Sequence, residues 1–176
     1  MLEMRDKGLP KRKPNRLENY DYAQNGAYFI TICTQNRKEI LSEIIVGRGL
    51  APAECKLSEY GKIAEQELLN LEKRYAGVKI DKYVIMPDHI HAIISINNDI
   101  TAGASPRPTL SDMICTFKSI TTRLCNKVHK EKTIFQTSFY DHIIRGEEDF
   151  KEVWEYIDGN PQKWREDRFY SKGEKQ

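Results

Sequence analysis

The stretch Val78–Ile96 constrains this chain more than any other. It is rich in apolar and β-branched residues, and the turn dipeptide Pro87-Asp88 cuts it in two. Two strands are therefore predicted, Val78–Met86 and His89–Ile96, joined by a short hairpin. Side chains alternate between the two faces of a strand, so His89 and His91 leave the second strand on one face. Two imidazoles side by side can hold one metal ion. Neutral imidazole suits Zn, Mn, Fe or Ni, and Mg²⁺ fits only a mixed site that includes phosphate oxygens. A His-x-His triplet also arises by chance as two half-exposed strand residues, so the pair alone does not establish a metal site.

The rest of the chain supplies the partners of this hairpin. Ala27–Gln35 is aromatic and β-branched and reads as a strand. Residues 39–57 hold two short apolar runs around Gly47, Gly49 and Pro52, a loop or irregular hairpin. Ser58 can cap a helix running to about Tyr75, with Ile63, Ala64, Leu68, Leu69 and Leu71 apolar. Thr109 or Ser111 can cap another, reaching about Val128 with Met113, Ile114, Phe117, Ile120, Thr121 and Leu124 on one stripe. Tyr140–Ile144 reads as a strand and Glu147–Asp158 as a helix with Phe150, Val153, Trp154 and Ile157 as its buried stripe. Glu147, Glu148 and Asp149 suit its first turn, and Asn160-Pro161 ends it. The order β-α-β-β-α-β-α predicts an α+β fold: a ferredoxin-like split β-α-β core, an antiparallel sheet with two helices on one face, plus an appended C-terminal helix. The histidine strand is then interior, and the sheet face without the two helices is available for chemistry.

Length and charge bound the function. With 176 residues the chain suits one domain, read as a basic N-terminal arm over 1–25 and a single domain over 26–176 ending in a basic tail. No apolar run approaches the ~20 residues that span a bilayer, and Met1–Arg16 lacks an apolar signal core, so a cytoplasmic location is expected. Cys33, Cys55, Cys115 and Cys125 form no Cys-x-x-Cys pair and are expected as reduced thiols. The net charge of +2 is modest, but Arg5, Lys7, Lys11, Arg12, Lys13 and Arg16 crowd the first residues. Such an arm can neutralise phosphates; a solvated terminus is the plain alternative.

A second pair of functional residues lies in the last helix. Tyr156 and Asn160 are spaced i, i+4 and share a helix face. Tyr156 falls off the buried stripe, so it belongs at a boundary. A phenol with pKa ~10 is a weak nucleophile until a nearby cation or base assists it. A metal on the histidines could hold and neutralise a phosphodiester in front of it, with the Asn160 amide oxygen as third ligand. The plainer reading packs Tyr156 beside Trp154 and makes Asn160 a helix cap. Tyr140 is a rival nucleophile without an i+4 ligand, and His142 reads as structural. Arg145, Lys163, Arg165 and Arg168 flank the last helix, and Lys118, Arg123 and Lys127 give the second helix a basic side. No Walker A or dinucleotide glycine fingerprint is present.

These residues resemble a known family. Val84-Ile85-Met86-Pro87-Asp88-His89-Ile90-His91 is similar to the histidine–hydrophobic–histidine (HUH) motif of single-tyrosine transposases. Arg16-Leu17 with Tyr20-Asp21-Tyr22 leading into Gly26–Thr31, then Tyr140–Arg145, then Trp154–Ile157 with Asn160-Pro161 and Trp164, resemble its REP-associated branch, in the right order from about residue 12 to 168. The resemblance implies a metal-dependent endonuclease and strand transferase on single-stranded DNA, at repetitive extragenic palindromic hairpins or transposon ends. It implies His89, His91 and Asn160 as ligands of Mg²⁺ or Mn²⁺, and Tyr156 as the nucleophile that forms a 5′-phosphotyrosine and frees a 3′-hydroxyl. The expected partner is single-stranded or hairpin DNA, contacted by Arg12, Lys13, Arg16, Lys118, Arg123, Arg145, Lys163 and Arg165. Related insertion-sequence enzymes are dimers with glutamine in place of Asn160, while the REP-associated branch includes monomers; both monomer and homodimer stay open. Asp88 stands where asparagine is more usual and adds a negative charge near the metal. The competing readings are a domesticated, non-catalytic hairpin-binding protein, a replication initiator or relaxase with the same motif, and an unrelated metallohydrolase.

Overall fold

The structure is a computed structural model that describes residues 21–45, 53–101, 109–129 and 133–164. Its elements run β1 (Gly26–Cys33), β2 (Ser42–Ile45), β3 (Glu54–Leu57), α1 (Glu59–Arg74), β4 (Val78–Ile85), β5 (His89–Ile96), α2 (Leu110–Val128), β6 (Tyr140–Ile144) and α3 (Gly146–Gly159). Four strands form one antiparallel sheet in the order β4-β5-β1-β6, and β2 pairs with β3 in a separate ribbon. This is the ferredoxin-like arrangement expected, with β5 interior. The ribbon is the irregular hairpin expected over 39–57.

Local chemistry sets the element ends. The Ser58 hydroxyl accepts from the Gly61 amide and starts α1. Thr109 and Asp112 form a reciprocal capping box at the start of α2, so Thr109 and not Ser111 is the cap. β1 stops at Cys33, two residues short of the predicted end, because Thr34 bridges to Phe135 and the chain turns through a short 3₁₀ turn at Gln35–Arg37.

Strand alternation divides the core. Tyr28, Ile30 and Ile32 of β1 and Ile90, Ala92 and Ile94 of β5 are buried with Leu68 and Leu71 of α1 and Ile114 and Phe117 of α2. Each of the isoleucine, leucine and phenylalanine side chains among them contributes about 1.5–3 kcal/mol on burial. On the other face a smaller cluster joins Phe29, Ile93 and Ile157, flanked by Val84, Phe150, Val153 and Trp154. The face expected to be bare of helices is thus partly covered by α3, whose apolar stripe packs there. The histidines of β5 lie beside that covered patch.

The β-ribbon end braces the turn before the histidines. The Leu41 amide donates to the Pro87 carbonyl at 3.0 Å, and the Ser42 hydroxyl donates to the Ile85 carbonyl at 2.8 Å. Gly61 lets α1 approach this brace, since a Cβ there would sit 2.0 Å from the Leu41 carbonyl oxygen. Gly61→Ala should therefore cost about 1–3 kcal/mol of stability, read as a lower urea midpoint. An unchanged midpoint would contradict the close approach.

Candidate active site

The two histidines are fully buried, on one face of β5 as the alternation requires. Their Nε2 atoms face each other at 3.0 Å. Each ring is held from behind: Asp88 Oδ1 lies 2.6 Å from His89 Nδ1, and Thr31 Oγ1 lies 2.9 Å from His91 Nδ1. A carboxylate on Nδ1 favours the N–H there and leaves the Nε2 lone pair forward. Thr31 pairs with His91 in the β1–β5 register and with Tyr140 in the β1–β6 register, so all three share a row and a face. Tyr140 thus stands two strands from His91. Trp164, buried, stacks on the His89 ring with centroids 5.9 Å apart.

The last helix brings its tyrosine to this point. Tyr156 is 43% exposed, and its hydroxyl lies 3.5 Å from His91 Nε2 of the same chain. Its ring meets His91 at 5.2 Å and stands edge-on to Phe29 at 5.8 Å. One turn on, Asn160 is only 3% exposed; its Nδ2 donates to the Tyr156 carbonyl at 3.4 Å, while its Oδ1 is buried with no hydrogen-bond partner. Leaving such an oxygen unpaired costs about 1–3 kcal/mol. Two converging imidazole nitrogens are donors of a kind that suits a divalent cation, and the Asn160 amide oxygen, one helical turn from Tyr156, is a further donor type able to join them. No group of three or more His, Cys, Asp and Glu with metal-binding geometry exists among the described residues.

Both ends of α3 are pinned. At the start, His142 Nε2 lies 2.9 Å from Asp149 Oδ1, and the Arg145 amide donates to Asp149 Oδ2 at 2.7 Å. His142 thus ties β6 to the first turn of α3. At the far end Lys82 pairs with Asp158, and its ammonium sits 4.7 Å from the centre of the Trp154 ring.

The basic residues separate by position. Arg145 and Lys163 are exposed at the two ends of the tyrosine helix. Arg123 is exposed on α2, whose helix packs on the opposite sheet face from the histidines. Lys118 gives its ammonium to the carbonyls of Gln136, Thr137 and Ser138, at 2.9, 3.2 and 2.9 Å. Burial lowers its pKa to about 8. It fastens the segment leading into β6. Arg12, Lys13, Arg16 and Arg165 lie outside the described residues. Sequence reasoning missed Thr31, Phe29 and the Arg37–Asp88 pair (Nε to Oδ2, 2.9 Å). Alternation puts Thr31 on one face with Phe29, but its place opposite His91 is set by the β1–β5 register. Arg37 carried no such signal.

A split β-α-β sheet bearing a His-x-His pair, met by a helix-borne tyrosine, defines the single-tyrosine HUH class of proteins. The chain belongs to the IS200-like transposase family, whose sequence model matches residues 22–160. It is 31% identical to an uncharacterized protein of Haemophilus influenzae over 177 aligned residues, covering 93% of this chain and 95% of the other. In fold it is similar to a REP-associated tyrosine transposase solved bound to a REP hairpin, with TM-score 0.60 and 20% identity over 85% of this chain and 73% of that one. No helix among the described residues is long and apolar enough to cross a membrane.

The Asp149 pin has a pH dependence with a definite sign. Burial alone would raise this carboxyl, but the Arg145 amide and the His142 ring hold it below its ordinary 3.8. A carboxylate depressed in the fold stabilises it above the ordinary value, and that contribution is lost as pH falls through the lowered one. Amides in the first turn of α3 should therefore exchange faster as pH drops below about 4, once intrinsic exchange rates are corrected. Asp149→Asn should show the same loosening at neutral pH. Equal protection in variant and wild type would contradict the pin.

Proposed function

We propose that this transposase is a metal-dependent single-stranded DNA endonuclease and strand transferase of the REP-associated kind, acting at imperfect hairpins through a 5′-phosphotyrosine. The observation that carries the reading is the approach of the Tyr156 hydroxyl to the paired Nε2 atoms, with the unpaired Asn160 Oδ1 one turn away. Mg²⁺ or Mn²⁺ would be held by His89, His91 and Asn160, and when bound it neutralises phosphate charge and makes phosphorus more open to attack.

The chain's own residues do the rest. Phe29 and His91 fix the Tyr156 ring from two sides, so the hydroxyl is positioned before DNA arrives. Partial exposure gives the phenolic proton a route to solvent. As the Tyr156 oxygen bonds to phosphorus, the P–O3′ bond breaks and the departing 3′-oxygen takes up a proton. The phosphotyrosine keeps a phosphoester link, so a 3′-hydroxyl can reverse the attack and join strands without ATP. Arg145 and Lys163, exposed at either end of α3, are the best-placed phosphate contacts. In this reading Arg12, Lys13, Arg16 and Arg165 grip the hairpin from the two arms, Arg123 meets DNA only if it wraps to the α2 side, and Lys118 acts by holding the segment before β6. The hairpin ligand is carried over as a proposal from the structural relative solved with one.

The direct test is incubation of the protein with labelled single-stranded hairpin DNA from its own genome, with Mn²⁺ or Mg²⁺. A denaturation-resistant protein–DNA adduct is expected, and Tyr156→Phe should abolish it while leaving hairpin binding largely intact. Adducts at wild-type level in that variant would overturn the assignment of the nucleophile. Binding with no adduct under either metal would favour the non-catalytic hairpin-binding protein.

A second expectation concerns Asn160. Mn²⁺ that binds only the folded state must raise the melting temperature. Asn160→Ala should shrink that rise, yet change the cation-free melting temperature little, because the unpaired oxygen it removes is itself a cost. An undiminished Mn²⁺ response in the variant would remove Asn160 from the ligand set.

A further inference from the structure

Asp88 stands at the site, and the chemistry above leaves it unused. Its side chain is fully buried, and a buried carboxylate is costly unless each oxygen is met. One oxygen faces His89 Nδ1 at 2.6 Å; the other makes no hydrogen bond and is met only as an ion pair, with Arg37 Nε at 2.9 Å. Arg37 reaches it from a strained turn: Asn36 and Arg37 both have φ of 56°, a left-handed conformation that asparagine tolerates but arginine rarely adopts. Strain of this kind persists only where surrounding contacts over-determine it. Here they do. The Thr34 amide donates to the Asp88 carbonyl at 2.9 Å, and the Gln35 amide donates to the Ile134 carbonyl at 2.7 Å. The second prong of Arg37, Nη1, lies 2.9 Å from Cys33 Sγ, and Cys33 is the β1 residue in register with His89. The guanidinium therefore spans from β1 to the residue that orients the first histidine.

We infer that Arg37 and Asp88 are positioning residues for a divalent-cation site. Arg37 balances the buried carboxylate, and the carboxylate holds His89 by Nδ1 so that Nε2 faces His91. This rests on the reading of the histidine pair as a metal site.

The test uses the full chain, freed of metal, titrated with Mn²⁺ and followed by electron paramagnetic resonance of the free ion. The wild type should bind Mn²⁺ at the histidine pair and lose it in His89→Ala. Arg37→Gln and Asp88→Ala should each weaken binding about 10–100-fold. Asp88→Asn keeps an acceptor for His89 and should weaken it less than alanine does. In Asp88→Asn/Arg37→Gln the asparagine no longer needs a counter-charge, so the loss should be smaller than the product of the two single losses. Long-range ¹H–¹⁵N imidazole spectra supply a readout that a merely structural pair would not move. His89 should carry its proton on Nδ1 in the wild type, lose that signature in Asp88→Ala and regain it in Asp88→Asn. If Arg37→Gln does not fold, Arg37→Lys takes its place, keeping charge without the two-pronged geometry, with the same direction expected. Wild-type Mn²⁺ affinity in a folded Arg37 variant, or multiplicative losses in the double variant, would overturn the inference while leaving the metal site standing. Absence of Mn²⁺ binding by the wild type would overturn the metal site, and this inference with it.

Discussion

Everything at this site depends on two imidazole nitrogens held 3.0 Å apart at the centre of a sheet. Two lone pairs aimed at each other repel unless a proton or a cation lies between them, so such an approach needs an enforcing frame. The frame is rigid for ordinary reasons. β5 is flanked by β4 and β1, its other face is sealed by Ile90, Ala92 and Ile94 against the helices, and each ring is braced at Nδ1. Sites carried on interior strands keep their geometry better than sites on loops, because neither backbone nor rotamer can relax cheaply.

The tyrosine helix is held in a different way. Its interface with the sheet is small, a cluster around Phe29, Ile93 and Ile157 with half-buried neighbours, and polar pairs secure its two ends. An element with few buried contacts is drawn from the less stable part of a fold. Under the proposed function, that would suit a helix whose tyrosine carries a DNA strand and later gives it up. The contrast between a fixed histidine pair and a lightly held tyrosine helix is built into the packing itself.

Much of this was legible in the sequence because the signals were local. Pro87-Asp88 marks the start of β5, Ser58 and Thr109 mark two helix starts, and period-two alternation puts His89 and His91 on one face. The β-α-β-β-α-β order then leaves few topologies to choose from. What the sequence hid was long-range. The stripe on α3 announces a buried face but not which surface buries it, so its seat on the histidine side of the sheet could not be read. Lys118 looked like one of several basic residues on α2; only the fold turns three carbonyls toward it. Arg37 occupies a left-handed turn without a glycine to signal it. The i, i+4 spacing of Tyr156 and Asn160 also describes an ordinary helix cap, which Asn160 is, and says nothing of its buried, unpartnered oxygen.

The central claim is that His89, His91 and Asn160 of one chain share a cation beside Tyr156. Anomalous scattering from a crystal grown with Mn²⁺ tests it most directly. The account predicts a single strong peak within bonding distance of both Nε2 atoms and of Asn160 Oδ1, with the phenol of the same chain beside it. A peak elsewhere, or a bound ion from which Asn160 is turned away, would contradict it.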